Sequence, residues 1–370
     1  MPWRETFLNR FGPGLLGGIT SGDWLRLLRD NQFAIAPRAV PRVTAITFQS
    51  LQNSVIRRRE QRRYGRALKD VVIPPPVFIL GHWRSGTTHL HNLVTIDERF
   101  AFSNTYQTFF PHTFLSTEAM GARILSFFLP EHRPMDNVAL KMGSPQEDEF
   151  AICTAGLASP YLGWVFPRRL DDYDRYLTLR DLPASDVARW REALWLFLRK
   201  LTLKYRRPLV LKSPPHTCRI RLLLEMFPEA RFVHIHRNPH TVFQSSRQLF
   251  QLMFELNRFQ RPPLGDLDEW ILRQYQVMYD AFFEERRLIP GGHFHEVGFE
   301  QLEDDPIGQV RRLYDALDLP DFAHAEPALR AYVESIARYK KNEFPELPPA
   351  MRARIARAWP SSFEEWRYPK

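Results

Sequence analysis

The segment Gly81-His82-Trp83-Arg84-Ser85-Gly86-Thr87-Thr88 packs two glycines, an arginine and three hydroxyls into eight residues. Small residues let backbone N–H groups turn inward, the hydroxyls add donors, and a following helix would aim its positive end at the same point, so the segment is suited to cradling an anion. Its two glycines have the spacing of the nucleotide-hydrolase loop Gly-x4-Gly-Lys-Ser/Thr, but Thr87 stands where the phosphate-reaching lysine belongs. Arg84 then supplies the charge from within the loop, and neither magnesium nor another metal is implied. A second group of the same character is Arg237-Asn238-Pro239, with Ser245 eight residues after the arginine. Lys212, in Lys212-Ser213-Pro214-Pro215-His216, is one of only eight lysines in the chain.

Elements that would position these residues can be read from the flanks. Residues 71–80, VVIPPPVFIL, start extended because prolines exclude helix, and end as a short apolar run bounded by Gly81, the pattern of a buried parallel strand. Residues 87–94 then read as helix. Residues 209–211 make a second short apolar strand, followed by a helix over 219–227 that Pro228 stops. RFVHIH at 231–236 makes a third, and Asn238-Pro239 turns the chain into a helix from about Thr241. Further helices are expected at 269–288, 306–317 and 326–338. Repeated strand, loop and helix predict an α/β domain with a central, mostly parallel sheet flanked by helices on both sides, where ligands bind at the carboxyl ends of strands. Residues 1–70 read as a helical N-terminal extension and 71–370 as the α/β domain.

Composition narrows the class. At 370 residues, 44% hydrophobic and 25% charged, the chain is long enough to bury a core and is not a disordered polymer. Cys153 and Cys218 form no metal-ligand or disulfide pattern and no secretory apolar run opens the sequence, so a cytoplasmic location is expected. The stretch 151–167 is broken by Gly156, Pro160 and Gly163 and reads as interior, not as a membrane span. Fifty-one basic residues against forty-two acidic ones give a net charge of +9, with a dense cluster at Arg57, Arg58, Arg59, Arg62, Arg63 and Arg66. That cluster is either a solvated helix face or a contact for a membrane surface or polyanion.

Arg84-Ser85-Gly86-Thr87-Thr88 after the first strand, with Arg237 and Ser245 eight residues apart after the third, resembles the sulfotransferases that use 3′-phosphoadenosine 5′-phosphosulfate. Lys212-Ser213-Pro214, Phe227-Pro228-Glu229-Ala230-Arg231-Phe232 and Val297-Gly298-Phe299-Glu300-Gln301-Leu302 also match, in the family's order, so the pattern spans about two thirds of the chain. The resemblance implies a P-loop-like fold in three layers and transfer of a sulfuryl group from that donor to a hydroxyl, less readily an amine. Arg84, Ser85, Gly86, Thr87 and Thr88 would bind the donor's 5′-phosphosulfate, and Arg237 and Ser245 its 3′-phosphate. The family's late Arg-Lys-Gly segment is missing, and Lys340 in Tyr339-Lys340-Lys341-Asn342 stands in a comparable place.

Sulfuryl transfer asks for positioning and for cations aimed at the moving group, for which Arg84 and Lys212 are the candidates. A general base must take the acceptor's proton, and family branches differ between histidine and glutamate. His216 is one candidate. The other is the acidic run Glu147, Asp148 and Glu149, beside the apolar stretch, with Glu147 slightly preferred. Branches with a similar loop place a glutamate roughly twenty residues past it, where this chain has Ser103-Asn104-Thr105. Aromatic residues at Phe100, Phe102, Tyr106, Phe109, Phe110, Phe114, Tyr161, Trp164 and Phe166 suit a lipophilic small-molecule acceptor, and the arginine cluster a peripheral membrane contact; nucleic acid is not expected as a partner. A P-loop kinase and a non-catalytic anion-binding or membrane-surface protein are the competing classes.

Overall fold

Apolar runs too short for helices become strands in the computed structural model: β1 (Val77–Leu80), β2 (Val210–Lys212), β3 (Arg231–His236) and β4 (Phe294–Gly298). The structure describes residues 14–127, 141–261, 265–337 and 344–370. All four strands are parallel, in the order β2-β1-β3-β4. Every residue of β1 and β2 is buried, as both-sided coverage requires.

Register places Ile79 beside Lys212 and Leu80 beside His234, so β1, β2 and β3 deliver their carboxyl ends to one edge. The chain leaves β1 towards β2 on one side and later returns to β3 on the other. Adjacent strands whose connections diverge in this way open a crevice at their carboxyl ends, and here the crevice lies between Gly81 and Arg237.

Alternation across the pleat feeds two layers. Val77, Ile79, Val210, Val233 and Ile235 share one core with Leu90, Leu93 and Val94 of helix Thr87–Val94 and with Val310 and Leu313 of helix Pro306–Ala316. Phe78 points the other way. It stacks on Phe232 at 5.7 Å and meets the edge of His216 at 5.3 Å, in the layer built from the 3-10 turn Pro214–Cys218 and helix Leu267–Glu285. The three-layer α/β expectation holds. Sequence reading did not mark β4, because FHEVG carries a histidine and a glutamate in place of an apolar run and its first three residues are only half-buried.

The chain divides into two units. Pro74–Phe102, Arg207–Phe250 and Gly265–Lys370 hold the sheet. Met1–Ile73, Ser103–Arg206 and Gln251–Leu264 form the other, so the N-terminal segment groups with the long insertion between β1 and β2. This second unit is helical. Its longest element, Val40–Lys69, packs against helices Phe114–Ser126 and Ala184–Tyr205. Lys200 and Glu60 form a buried ion pair there; Lys200 also donates to the Pro111 carbonyl at 2.6 Å, and Glu60 accepts the Ser116 N–H at 2.9 Å. Most of 151–167 is buried, as an interior stretch should be, and both cysteines are buried thiols. No helix among the described residues is long and apolar enough to cross a membrane.

Candidate active site

Backbone geometry that only small residues tolerate shapes the 81–88 loop. Gly81 has φ +144°, and a Cβ there would lie 2.6 Å from the Ile235 carbonyl oxygen. Gly86 has φ +102°, and a Cβ would lie 2.3 Å from the Phe299 ring. Arg84 itself adopts φ 71°, a left-handed conformation that costs an L-residue roughly 1–2 kcal/mol and is held by its surroundings.

Those surroundings are polar contacts from distant parts of the sheet-bearing unit. Gly81 N–H donates to Thr217 Oγ1 at 2.7 Å and His82 N–H to the Tyr279 hydroxyl at 3.3 Å. Ser85 is fully buried, and its hydroxyl donates to the His82 carbonyl at 2.8 Å, so this side chain closes the loop on itself. His82 Nδ1 hydrogen-bonds the Trp83 carbonyl at 2.8 Å, and burial pushes its pKa down to about 4, keeping the ring neutral at neutral pH. Helix Thr87–Val94 then begins from Gly86 with no side-chain cap, leaving its first N–H groups directed at the loop's mouth.

Cations converge on that mouth. Arg84 Nε donates to Ser245 Oγ at 2.7 Å, and Arg237 Nη1 donates to the Arg84 carbonyl at 3.3 Å. Arg237 also lies over the Phe299 ring, 4.1 Å from its centroid. Burial lowers the Arg237 pKa, with Glu303 and Glu300 opposing the shift, so an anion that paired with it would relieve a desolvated charge. Lys212, 1% exposed at the end of β2, reaches Thr88 Oγ1 at 3.4 Å. Arg84, Ser85, Gly86, Thr87, Thr88, Lys212, Arg237 and Ser245 therefore fall in one neighbourhood, with His216 buried in the turn after Lys212. Lys340 lies outside the described residues.

Glu147, Asp148 and Glu149 belong to the helical unit. Asp148 and Glu149 are fully buried at the start of helix Glu149–Ala155. Glu147 is half-buried, and its Oε2 accepts the Tyr161 hydroxyl at 2.5 Å. Tyr161 stacks on Trp164 at 4.1 Å and tilts against Phe150 at 5.2 Å, which stacks on Phe109 at 5.6 Å. A carboxylate thus sits at the edge of a row of rings. Phe100, by contrast, lies in the core beneath the sheet, so the nine aromatics do not form a single wall. Asn104 caps helix Thr105–Phe109 in a reciprocal box with Gln107, so this side chain has a structural use.

Sequence reasoning missed the supports of the loop. Thr217 directly follows His216, and Phe299 lies in the VGFEQL block already noted, so both were within sight. Tyr279 carried no signal, being one of several aromatics on a helix face. Tyr368, past the last helix Pro360–Glu365, carried no signal either; its hydroxyl hydrogen-bonds His236 Nδ1 at 2.9 Å and donates to Glu300 at 2.8 Å.

The sequence profile of the sulfotransferase family matches residues 75–324. An omega-hydroxy-beta-dihydromenaquinone-9 sulfotransferase, Stf3, from Mycobacterium bovis and from Mycobacterium tuberculosis is 36% identical over 367 residues, which cover 99% of this chain and 93% of the relative. In fold, the chain is similar to the sulfotransferase STF9 of Mycobacterium avium, with a TM-score of 0.70 at 20% identity over 98% of this chain and 95% of that one. It is also similar to STF1 of Mycobacterium tuberculosis, with a TM-score of 0.65 at 18% identity over 92% of each.

Proposed function

This chain belongs to the sulfotransferase family, and from that premise we propose that its donor is 3′-phosphoadenosine 5′-phosphosulfate and its acceptor the hydroxyl of a lipophilic small molecule, of the hydroxylated quinone-lipid class named for its 36% identical relative. The observation that carries the donor assignment is the linkage of the two anion-binding segments: Arg84 bonds Ser245, and Arg237 bonds the backbone of Arg84. A single anion site needs one segment. Two coupled sites suit a ligand with anionic groups at both ends.

The residues present fit such a ligand. A glycine-shaped loop, an uncapped helix start and three cations stand at the ends of β1, β2 and β3. In this reading Arg84, Thr87, Thr88 and the backbone of 81–88 hold the 5′-phosphosulfate end, and Arg237 with Ser245 the 3′-phosphate end. Gly86 admits the close approach of backbone, and Ser85 fixes the loop. The donor supplies a sulfuryl group already activated by its phosphate leaving group. Lys212 and Arg84 balance charge on the oxygens around the moving group, a task of electrostatics and positioning. Glu147, held by Tyr161, is the preferred acceptor-side base over His216. Peripheral contact with the membrane that holds such an acceptor is part of the same reading.

Calorimetric titration with adenosine 3′,5′-bisphosphate, repeated with ATP and magnesium, tests the donor. Tight binding of the bisphosphate is expected, and preference for magnesium ATP would overturn the assignment in favour of a kinase.

A further inference from the structure

Helix Val40–Lys69 buries Ile46, Ser50, Asn53, Glu60 and Leu68 along one side. The opposite side, at a period of 3.6 residues, carries Val40, Thr44, Phe48, Leu51 and Val55 and then Arg58, Arg59, Arg62, Arg66 and Lys69. All ten are exposed, Phe48 at 66%, Leu51 at 53% and Val55 at 49%. One continuous face is thus apolar over its first half and basic over its second. Arg57, towards the packed side, reaches Asp23 at 3.6 Å, whereas Arg58, Arg59, Arg62 and Arg66 make no ion pair among the described residues. Helix Phe114–Ser126, tied to this helix through Ser116 and Glu60, adds exposed Met120 and Ile124 to the same unit.

A protein that needed only solubility would not line three large apolar side chains at i, i+3 and i+7 on an outward face. Nucleic acid would be served by the arginines and would gain nothing from Phe48, Leu51 and Val55. An anionic bilayer matches both halves: rings and branched chains enter the boundary between headgroups and acyl chains while guanidinium groups meet the phosphates. We infer that this face of helix Val40–Lys69 is the protein's docking surface for an anionic lipid bilayer. The inference names the surface for the membrane contact in the functional reading, but its test needs neither donor nor acceptor.

Sedimentation of the full chain with vesicles of phosphatidylglycerol mixed with phosphatidylcholine, against phosphatidylcholine alone, gives the readout. Binding is expected to the anionic vesicles only, weakening as salt rises. With each surface arginine contributing about five-fold, the variant Arg58→Gln/Arg59→Gln/Arg62→Gln/Arg66→Gln should bind at least about 100-fold less. Phe48→Ser/Leu51→Ser/Val55→Ser should lose at least about tenfold with the arginines intact. Both variants change exposed positions, so an unchanged melting temperature is the check on folding. Three results would overturn the inference: no vesicle binding by the unsubstituted protein, binding unaffected by either variant, or binding only to duplex DNA or to a second copy, the latter seen as a dimer that the serine variant dissociates. A negative outcome leaves sulfuryl transfer untouched, just as failure to bind the bisphosphate would leave the docking surface untouched.

Discussion

Arg84 Nε donates to Ser245 Oγ across 2.7 Å, joining residues 161 positions apart in sequence. The contact makes one structure of the loop after β1 and the helix after β3. Losing Ser245 should therefore disturb both ends of the bound donor. Ser245→Ala is expected to weaken adenosine 3′,5′-bisphosphate by about 2 kcal/mol, the scale of one hydrogen bond to a charged partner, with a smaller but measurable loss for adenosine 5′-phosphosulfate, which lacks the 3′ group and meets Ser245 only through Arg84. Unchanged affinity for the latter in calorimetry would show the two segments to be uncoupled.

Arg237 carries more. Its guanidinium is desolvated, lies over Phe299 and braces the Arg84 carbonyl. Arg237→Ala should cost about 2 kcal/mol or more in binding of the 3′,5′-bisphosphate, and much less for adenosine 5′-phosphosulfate, which lacks the 3′ group. Equal losses for the two ligands would remove Arg237 from the 3′-phosphate.

Turnover separates Lys212 from the binding residues. Lys212→Met keeps the length of a buried side chain but removes its charge, and kcat is expected to fall about 10²- to 10³-fold while the KM for the donor changes little. A rise in KM with kcat intact would make Lys212 a binding group only.

The base is decided by paired substitutions. Glu147→Gln should lower kcat by about 10²- to 10⁴-fold, while His216→Gln changes it by less than about tenfold. The reverse pattern would assign the proton to His216.

Acid should destabilise the protein from a window set by histidines. Burial lowers His82 and His236 to about 4, and burial with the nearby charges of Arg57 and Lys200 lowers His112 well below its ordinary value. Unfolded, each takes up a proton near 6.5; folded, His82 and His236 resist until about 4, so stability is intact above 6.5 and falls as pH drops from there towards 4. The His82 shift alone corresponds to about 3 kcal/mol. Urea midpoints at pH 7.5, 5.5 and 4.5 measure the slope, and His82→Gln should flatten it.

Much of this architecture was legible because parallel strands with both faces covered are largely apolar, as β1 is throughout and the core of β3 is apart from His234. β4 escaped because its neighbours demand polar groups: Glu296 on it accepts a bond from His234 of β3 at 2.8 Å. In the candidate site, the residues that meet an anion announced themselves by type and spacing. Those that shape the backbone did not. Thr217, Tyr279 and Phe299 act through contacts with Gly81, His82 and Gly86, and although Thr217 and Phe299 lie in or beside recognised blocks, no local pattern reveals a role whose partner lies more than a hundred positions away.

Pairing of β1 with β3, separated in sequence by β2 and the whole long insertion, has a kinetic meaning too. Neither strand end can grip an anion until this distant pairing has formed, and closing so large a loop comes late and slowly in folding. Refolding followed by bisphosphate binding should therefore lag behind the recovery of helical signal. The chain would be recognisable as folded by its spectrum before it is able to hold its donor.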